Sequence, residues 1–394
     1  MKKLLIATAV TALSAGIASA EEIKLGTSLG FTGPLESMAP DMQNGAELAV
    51  KEINDSGKFL DGSTVTLVQG DSTCADAAAA TATVERLITA EGVKGIIGGM
   101  CSGETIATLE NVALPNGIVM ISPSATSPAL STIEDNGLFF RTSPSDARQG
   151  EVMADIILEK GIKNVAVTYT NNDYGKGLAE SFEAFFTEKG GTVTTNSAHE
   201  DGKADYSAEV AALAAAGGEA LVVAGYVDQG GSGVVRAALD TGAFDTFVFP
   251  DGMVGQALVD NFGDEIEGSF GQNPAAEGEG RETYVKMAEE AGFDGTGAFS
   301  AESYDAAALI LLGMAAAGSS DPAEYKGKIM DIANEPGEKI LPGELGKALD
   351  ILSEGGDVDY VGATSVELIE PGESAGVYRE VSFTGGEMEV VGYR

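Results

Sequence analysis

A single histidine in 394 residues removes most of the machinery on which hydrolases and metalloenzymes depend. His199 alone can build no multi-histidine metal site. It follows a short strand-like run in a polar stretch and reads as a surface residue rather than a triad member. No P-loop, C-x-x-C pair, G-x-S-x-G elbow or EF-hand loop occurs. The glycines Gly230, Gly231 and Gly233 imitate a dinucleotide loop, but Arg236 stands where its third glycine should be. Acidic pairs are everywhere, so no carboxylate dyad stands out. These gaps point to a chain that is not an enzyme and needs no cofactor and no metal.

Basic residues are also scarce, at 23 against 61 acidic ones, for a formal charge of −38. Such a surface repels a phosphate backbone and excludes nucleic acid as a partner. The acidity is not the mark of disorder, because 44% of the residues are hydrophobic. No Gly/Ser-rich or Pro-rich linker separates the parts of the chain. Beyond the first residues, no run approaches the ~20 apolar residues of a membrane span.

Those first residues set the compartment. Lys2 and Lys3 precede the uncharged run 4–17, and Ala18, Ser19 and Ala20 then offer small residues before Glu21. This is the order of a secretory signal, with cleavage expected after Ala20 and a soluble periplasmic product. Two cysteines in an exported chain suggest one disulfide. Cys74 follows a strand expected at 64–70 and Cys101 another at 93–98. If those strands are parallel neighbours their ends meet, and the alternative is a pair of free thiols.

From residue 23 the pattern alternates. Strands are expected at 23–29, 65–68, 93–97 and 119–122. Between them lie helices up to Gly57 and over 75–90 and 104–113, the first with Met42, Ala46, Ala49, Val50 and Ile53 on one face. A second round follows, with strands at 165–169, 192–195, 221–224 and 246–249 and helices at 149–160, 178–188, 207–216 and 234–241. Helices at 281–291, 299–317 and near 323–333 come next, then short strands at 365–369, 377–383 and 388–391. Strand–helix alternation predicts two doubly wound α/β units with parallel sheets.

The segment GGMCSGETIATLENVALPNGIVMISPSATSP at 98–128 resembles the leucine/isoleucine/valine-binding proteins of bacterial ABC importers, which are type I periplasmic binding proteins. IKLGTSLGFTGP (23–34), FFRTSPSD (139–146), NDYGKGLAESF (172–182) and GAFSAESYDAAAL (297–309) support it in order along the chain. The resemblance implies two α/β lobes joined by a three-segment hinge near 142–146, 272–275 and 376–380. Lobe 1 is then 21–143 with 275–377, and lobe 2 is 144–274 with 378–394. It also implies the Cys74–Cys101 bridge, a small-molecule ligand such as an amino acid, permease subunits as partners, and a monomer.

On matching residues, Ser102 with nearby amides is expected to hold a ligand carboxylate. Ser124 and Thr126 would add a carbonyl and a hydroxyl, although both types also serve as ordinary caps and turns. Tyr226 and Asp251, at strand ends of the second lobe, are expected to meet an ammonium group. Asp251 stands where the family more often carries Glu, and Gly252 allows a plain Asp-Gly turn instead. Met38, Met100, Tyr174 and Phe299 would line the side-chain pocket, with Met38 replacing an aromatic. Glu302, one helical turn beyond Phe299, would lie at the pocket rim or simply complement the helix dipole. The alternatives are a same-fold binder of an amide, a urea-like compound or a small aromatic or carboxylic acid, and the sensor part of a signalling receptor.

Overall fold

The computed structural model describes residues 20–394, so all of the expected leader except Ala20 lies outside the described residues. The first strands are β1 (Glu22–Leu29), β2 (Thr64–Asp71), β3 (Ile96–Gly98), β4 (Met120–Ser122) and β5 (Phe139–Pro144). The second round gives β6 (Asn164–Thr170), β7 (Thr192–His199), β8 (Ala220–Ala224), β9 (Phe247–Phe249) and β10 (Phe270–Pro274). Later come β11 (Glu338–Ile340), β12 (Val358–Tyr360), β13 (Leu368–Ile369), β14 (Glu373–Ser374), β15 (Tyr378–Thr384) and β16 (Glu387–Tyr393).

Two seven-stranded sheets result, ordered β13-β14-β5-β4-β3-β1-β2 and β16-β15-β10-β9-β8-β6-β7, while β11 and β12 form a small parallel pair. The first five strands of each round pair in parallel in the same order, and each sheet gains two late strands at one edge. The chain passes from one sheet to the other after Pro144, after Pro274 and between Ser374 and Tyr378. In each sheet the winding reverses at one point, between β1 and β3 and between β6 and β8. A crevice beyond the carboxyl ends of such strands is where ligands bind in doubly wound folds.

Helix starts carry their own signals. Asp76 accepts from the amides of Ala78 and Ala79 to begin Ala77–Thr89, and Asn172 accepts from Gly175 to begin Asp173–Glu188. Helix Ala39–Ser56 stops at Gly57, whose φ of 63° is the left-handed conformation glycine adopts without penalty. Helix Ser300–Ala317 is buried from Ser300 to Met314, against Ala39–Ser56 on one side and the first sheet on the other. No single described helix is long and apolar enough to cross a membrane.

Several expectations need correction. β2 and β3 are not neighbours, because β1 lies between them. The segment near 323–333 is not one helix but three short turns, Pro322–Tyr325, Lys326–Lys328 and Ile329–Ile332. His199 is buried, not on the surface. β7 runs on to residue 199, where the ring meets Thr168 Oγ1 at 2.8 Å and Tyr206 edge-on, and burial lowers its pKa to about 4. The dinucleotide-like glycines lie in helix Gly230–Thr241. A Cβ on Gly231 would stand 2.3 Å from Met253 Sδ and 2.9 Å from the Tyr226 carbonyl, so this glycine serves close packing.

Candidate functional site

The two winding reversals face each other across a small cavity of no more than about 220 Å³. It is lined from the first lobe by Leu35, Met100, Cys101, Ser102, Ser124 and Phe299, and from the second by Tyr174, Tyr226, Asp251 and Gly252. Leu35 follows β1, Met100–Ser102 follow β3 and Ser124 follows β4; Tyr174, Tyr226 and Asp251 follow β6, β8 and β9. The lobes are shut on one another. Ser37 N donates to Asp228 Oδ2 at 2.8 Å, Asp228 N to the Pro34 carbonyl at 3.2 Å, and Ser127 Oγ to the Asp173 carbonyl at 3.1 Å.

On the first wall, Cys74 and Cys101 are bridged, with their Cα atoms 5.2 Å apart. The bridge spans β1 rather than joining neighbours, and glycine makes the room: a Cβ on Gly30 would stand 2.9 Å from Cys74 Cβ. Glu104, not among the residues expected at the site, sits beneath this loop. Its carboxylate accepts from Met100 N at 2.7 Å and Cys101 N at 3.2 Å, and burial pushes its pKa to about 7 against those bonds. Ser102 Oγ accepts from Ser127 N at 3.1 Å, and Ser124 Oγ donates to the Met100 carbonyl at 2.8 Å. The buried Arg141 pins the same loop by donating to the carbonyls of Ala125 and Ser127 at 3.1 and 3.0 Å, and it pairs with Glu373.

The bridge therefore acts on the site more than on the core. Cys74→Ser/Cys101→Ser is expected to stay folded, melt several degrees lower and bind its ligand more weakly. Circular dichroism and calorimetry on the double variant check this, and an unchanged affinity would refute it.

On the second wall the rings of Tyr174 and Tyr226 stack at 5.1 Å, with 12° between their planes. Asp251 Oδ1 accepts from Tyr174 Oη at 2.6 Å and from Gly252 N at 2.8 Å. The Asp-Gly turn bond and the cavity position thus coexist. Burial raises the Asp251 pKa to about 6, and the bonds from Tyr174 and Gly252 hold it from rising further. Both phenols are pushed up by burial and stay neutral.

Met100, Ser102, Ser124, Tyr174, Tyr226, Asp251 and Phe299 thus share one lining. Phe299 is held at a φ of 60°, rare for an aromatic residue, at the start of helix Ser300–Ala317. Thr126 is buried behind Ser124 and outside the lining. Met38 lines an adjoining cleft with Asp41, Gly255, Asp294 and Arg379. Glu302 does not reach the rim. It is buried at the base of its helix, where its carbonyl accepts from Thr142 Oγ1 at 2.8 Å. Burial pushes its pKa to about 7, against the attraction of Arg281 and Arg379. No group of three or more potential metal ligands occurs among the described residues.

The periplasmic binding protein family profile matches residues 22–331. The Leu/Ile/Val-binding protein homolog 1 of Brucella melitensis is 32% identical over 340 residues, covering 82% of this chain and 89% of the relative. Among solved structures, the branched-chain amino acid transporter substrate-binding protein of Streptococcus pneumoniae, in complex with isoleucine, superposes with a TM-score of 0.77. It is 23% identical, over 94% of this chain and 99% of that one. A solute-binding protein of a Rhodopseudomonas palustris ABC transporter, in complex with benzoate, gives a TM-score of 0.76 at 19% identity, over 94% and 96%.

Proposed function

Since the chain belongs to the periplasmic binding protein family, together with the Leu/Ile/Val-binding protein homologues, we propose that it is the solute-binding component of an ABC importer, capturing a branched-chain or related amino acid between its lobes. The lobes are taken as 21–143 with 275–377 and 144–274 with 378–394. Ligand binds one lobe, closure buries it, and the shut form is what permease subunits meet; ligand affinity for that form supplies the drive. The family places the protein outside the cytoplasm, and release by cleavage after Ala20, a monomeric state and the lack of any catalysis belong to the proposal.

One observation carries the reading. Asp251 is a buried carboxylate in the cavity wall that no lysine, arginine or histidine approaches within 4.0 Å among the described residues. Across from it, Ser102 opens a helix. An ammonium group supplies the cation that Asp251 lacks, and the amides of a helix start suit the carboxylate. Met100 and Phe299 leave an apolar surface for the tail.

A benzoate binder superposes almost as well as an isoleucine binder, so the fold alone does not choose between an amino acid and an aromatic acid. Asp251 does, because a ligand without a cation gains nothing from it. A thermal-shift screen of amino acids, small amides and aromatic acids tests this. Saturating L-leucine, L-isoleucine or L-valine, at 100 times the dissociation constant, is expected to add about 2.7 kcal/mol of stability. A shift with benzoate or amides and none with any amino acid would overturn the reading.

A further inference from the structure

We propose that Asp146, Gln149 and Asp251 form a proton-holding cluster, and that capture of the ligand's cation expels its proton into solvent, so that binding weakens in acid. This rests on the reading above that a ligand ammonium meets Asp251. Asp146 opens helix Asp146–Glu159 and Gln149 stands one turn on; both belong with Asp251 to the second lobe. With its carboxamide nitrogen turned toward the acids, Gln149 donates to Asp146 Oδ1 at 2.7 Å and to Asp251 Oδ1 at 3.2 Å, while its oxygen accepts from Asp251 N at 3.2 Å. One amide thus spends both its hydrogens on two carboxyl groups, each almost wholly buried. Asp146 Oδ2 and Thr126 Oγ1 make no hydrogen bond of ordinary geometry, although the Thr126 hydroxyl lies near enough to favour the Asp146 carboxylate.

Arg141 attracts the Asp146 carboxylate through space, but no cation forms an ion pair with either acid among the described residues. Arg141, on β5, is committed to Glu373 and to loop carbonyls, and Arg148, on the same helix as Asp146, pairs with Glu151. The phenols of Tyr174, Tyr226 and Tyr378 face the cluster from three other segments and are neutral, and Asp201 beyond Tyr226 adds only negative charge. Two carboxylates in one dry site do not both ionise; they titrate as a pair. Burial and the neighbouring Asp251 accordingly push the Asp146 pKa well up.

An ammonium in the cavity brings a positive charge to Asp251, the member of the cluster that lines it. The carboxyl O–H then breaks, its electron pair stays on oxygen, and the proton passes to water. In the empty protein a proton occupies the cluster in the ligand's place.

Two measurements on the full-length mature protein test the proposal. In ligand-free protein with ¹³C-labelled aspartate, two side-chain carboxyl resonances should move together, and Asp146→Asn should remove one and lower the midpoint of the other. If both groups are ionised at pH 7, the proposal is overturned whatever the ligand. Calorimetry with L-leucine, L-isoleucine or L-valine should give heats that depend on the buffer's ionisation enthalpy. The dissociation constant should rise about tenfold for each pH unit on the acid side of the cluster's midpoint, the slope of one displaced proton, and so by well over tenfold between pH 8 and pH 5. Binding of equal strength at both pH values, with heats that ignore the buffer, would also overturn it. Absence of heat with all three amino acids counts against the amino-acid reading alone, and the carboxyl resonances then decide the cluster by themselves.

Discussion

Asp251→Asn is expected to weaken capture of L-leucine by two or more orders of magnitude while raising the melting temperature of the ligand-free protein at neutral pH. The substituted amide oxygen can still accept from Tyr174 Oη and Gly252 N, so the wall keeps its shape. The ligand ammonium, however, would lose its counter-charge and face an amide donor. Removing one partner of a desolvated charge pair typically costs about 2–5 kcal/mol. The gain in the empty protein has a separate origin. Asp146 and Asp251 disfavour each other's charge, and the substitution ends that repulsion. Titration calorimetry and a thermal melt on one preparation read both effects. A variant that melts higher and binds as before would show that no cation meets Asp251.

The largest effect on folding is expected from Gly45→Val. Gly45 lies in helix Ala39–Ser56, where it passes over the start of helix Ser300–Ala317. A Cβ there would stand 2.2 Å from the Ser300 carbonyl oxygen and 3.0 Å from Tyr284 Oη. The first contact is with backbone, which cannot swing aside as a side-chain end can. Overpacking of this kind costs about 1–3 kcal/mol even where side chains yield. Here the whole helix must lift from the core it covers, and a fall in melting temperature of several degrees is expected. Gly327→Ala is the control, since a Cβ at Gly327 meets nothing within 4 Å and the residue has no positive φ. A melt within a degree or two of the parent for Gly45→Val would mean that the two helices are not held at this distance.

The alternating rounds of strand and helix were legible because apolar runs are local signals. The caps at Asp76 and Asn172 act on amides within three residues, yet they went unread, and the second of their helices begins at Asp173 rather than at the expected 178. β5 and β10 were not legible, since their mixed composition hides them. Arg141 in β5 is buried only because Glu373 arrives from 232 residues away to pair with it. The ligand residues were expected from the family resemblance, with strand ends in support for some of them, and seven of the ten line one cavity. Asp146, Gln149 and Glu104 escaped notice for a different reason. In a chain with 61 acids no single carboxylate stands out, and only burial distinguishes these. Glu302 was expected at the rim because a one-turn spacing from Phe299 suggested it. Phe299 lies outside the helix in a left-handed conformation, so that spacing does not carry Glu302 to the same side.

The order of the strands along the chain also sets an order of assembly. β6 to β10 are consecutive, so the second sheet has five of its seven strands as soon as residue 274 is made. The first sheet has its own five by residue 144, yet helix Ser300–Ala317, which covers β3, β4 and β5, comes more than 150 residues later. A growing chain therefore carries Ile97, Ile121 and Phe140 uncovered while the whole second round is being synthesised. Exposed apolar strands are where nascent chains aggregate, and non-local closure is slow. The apolar surface longest exposed during synthesis is thus concentrated in the N-terminal third, although that third holds the first strands to be made.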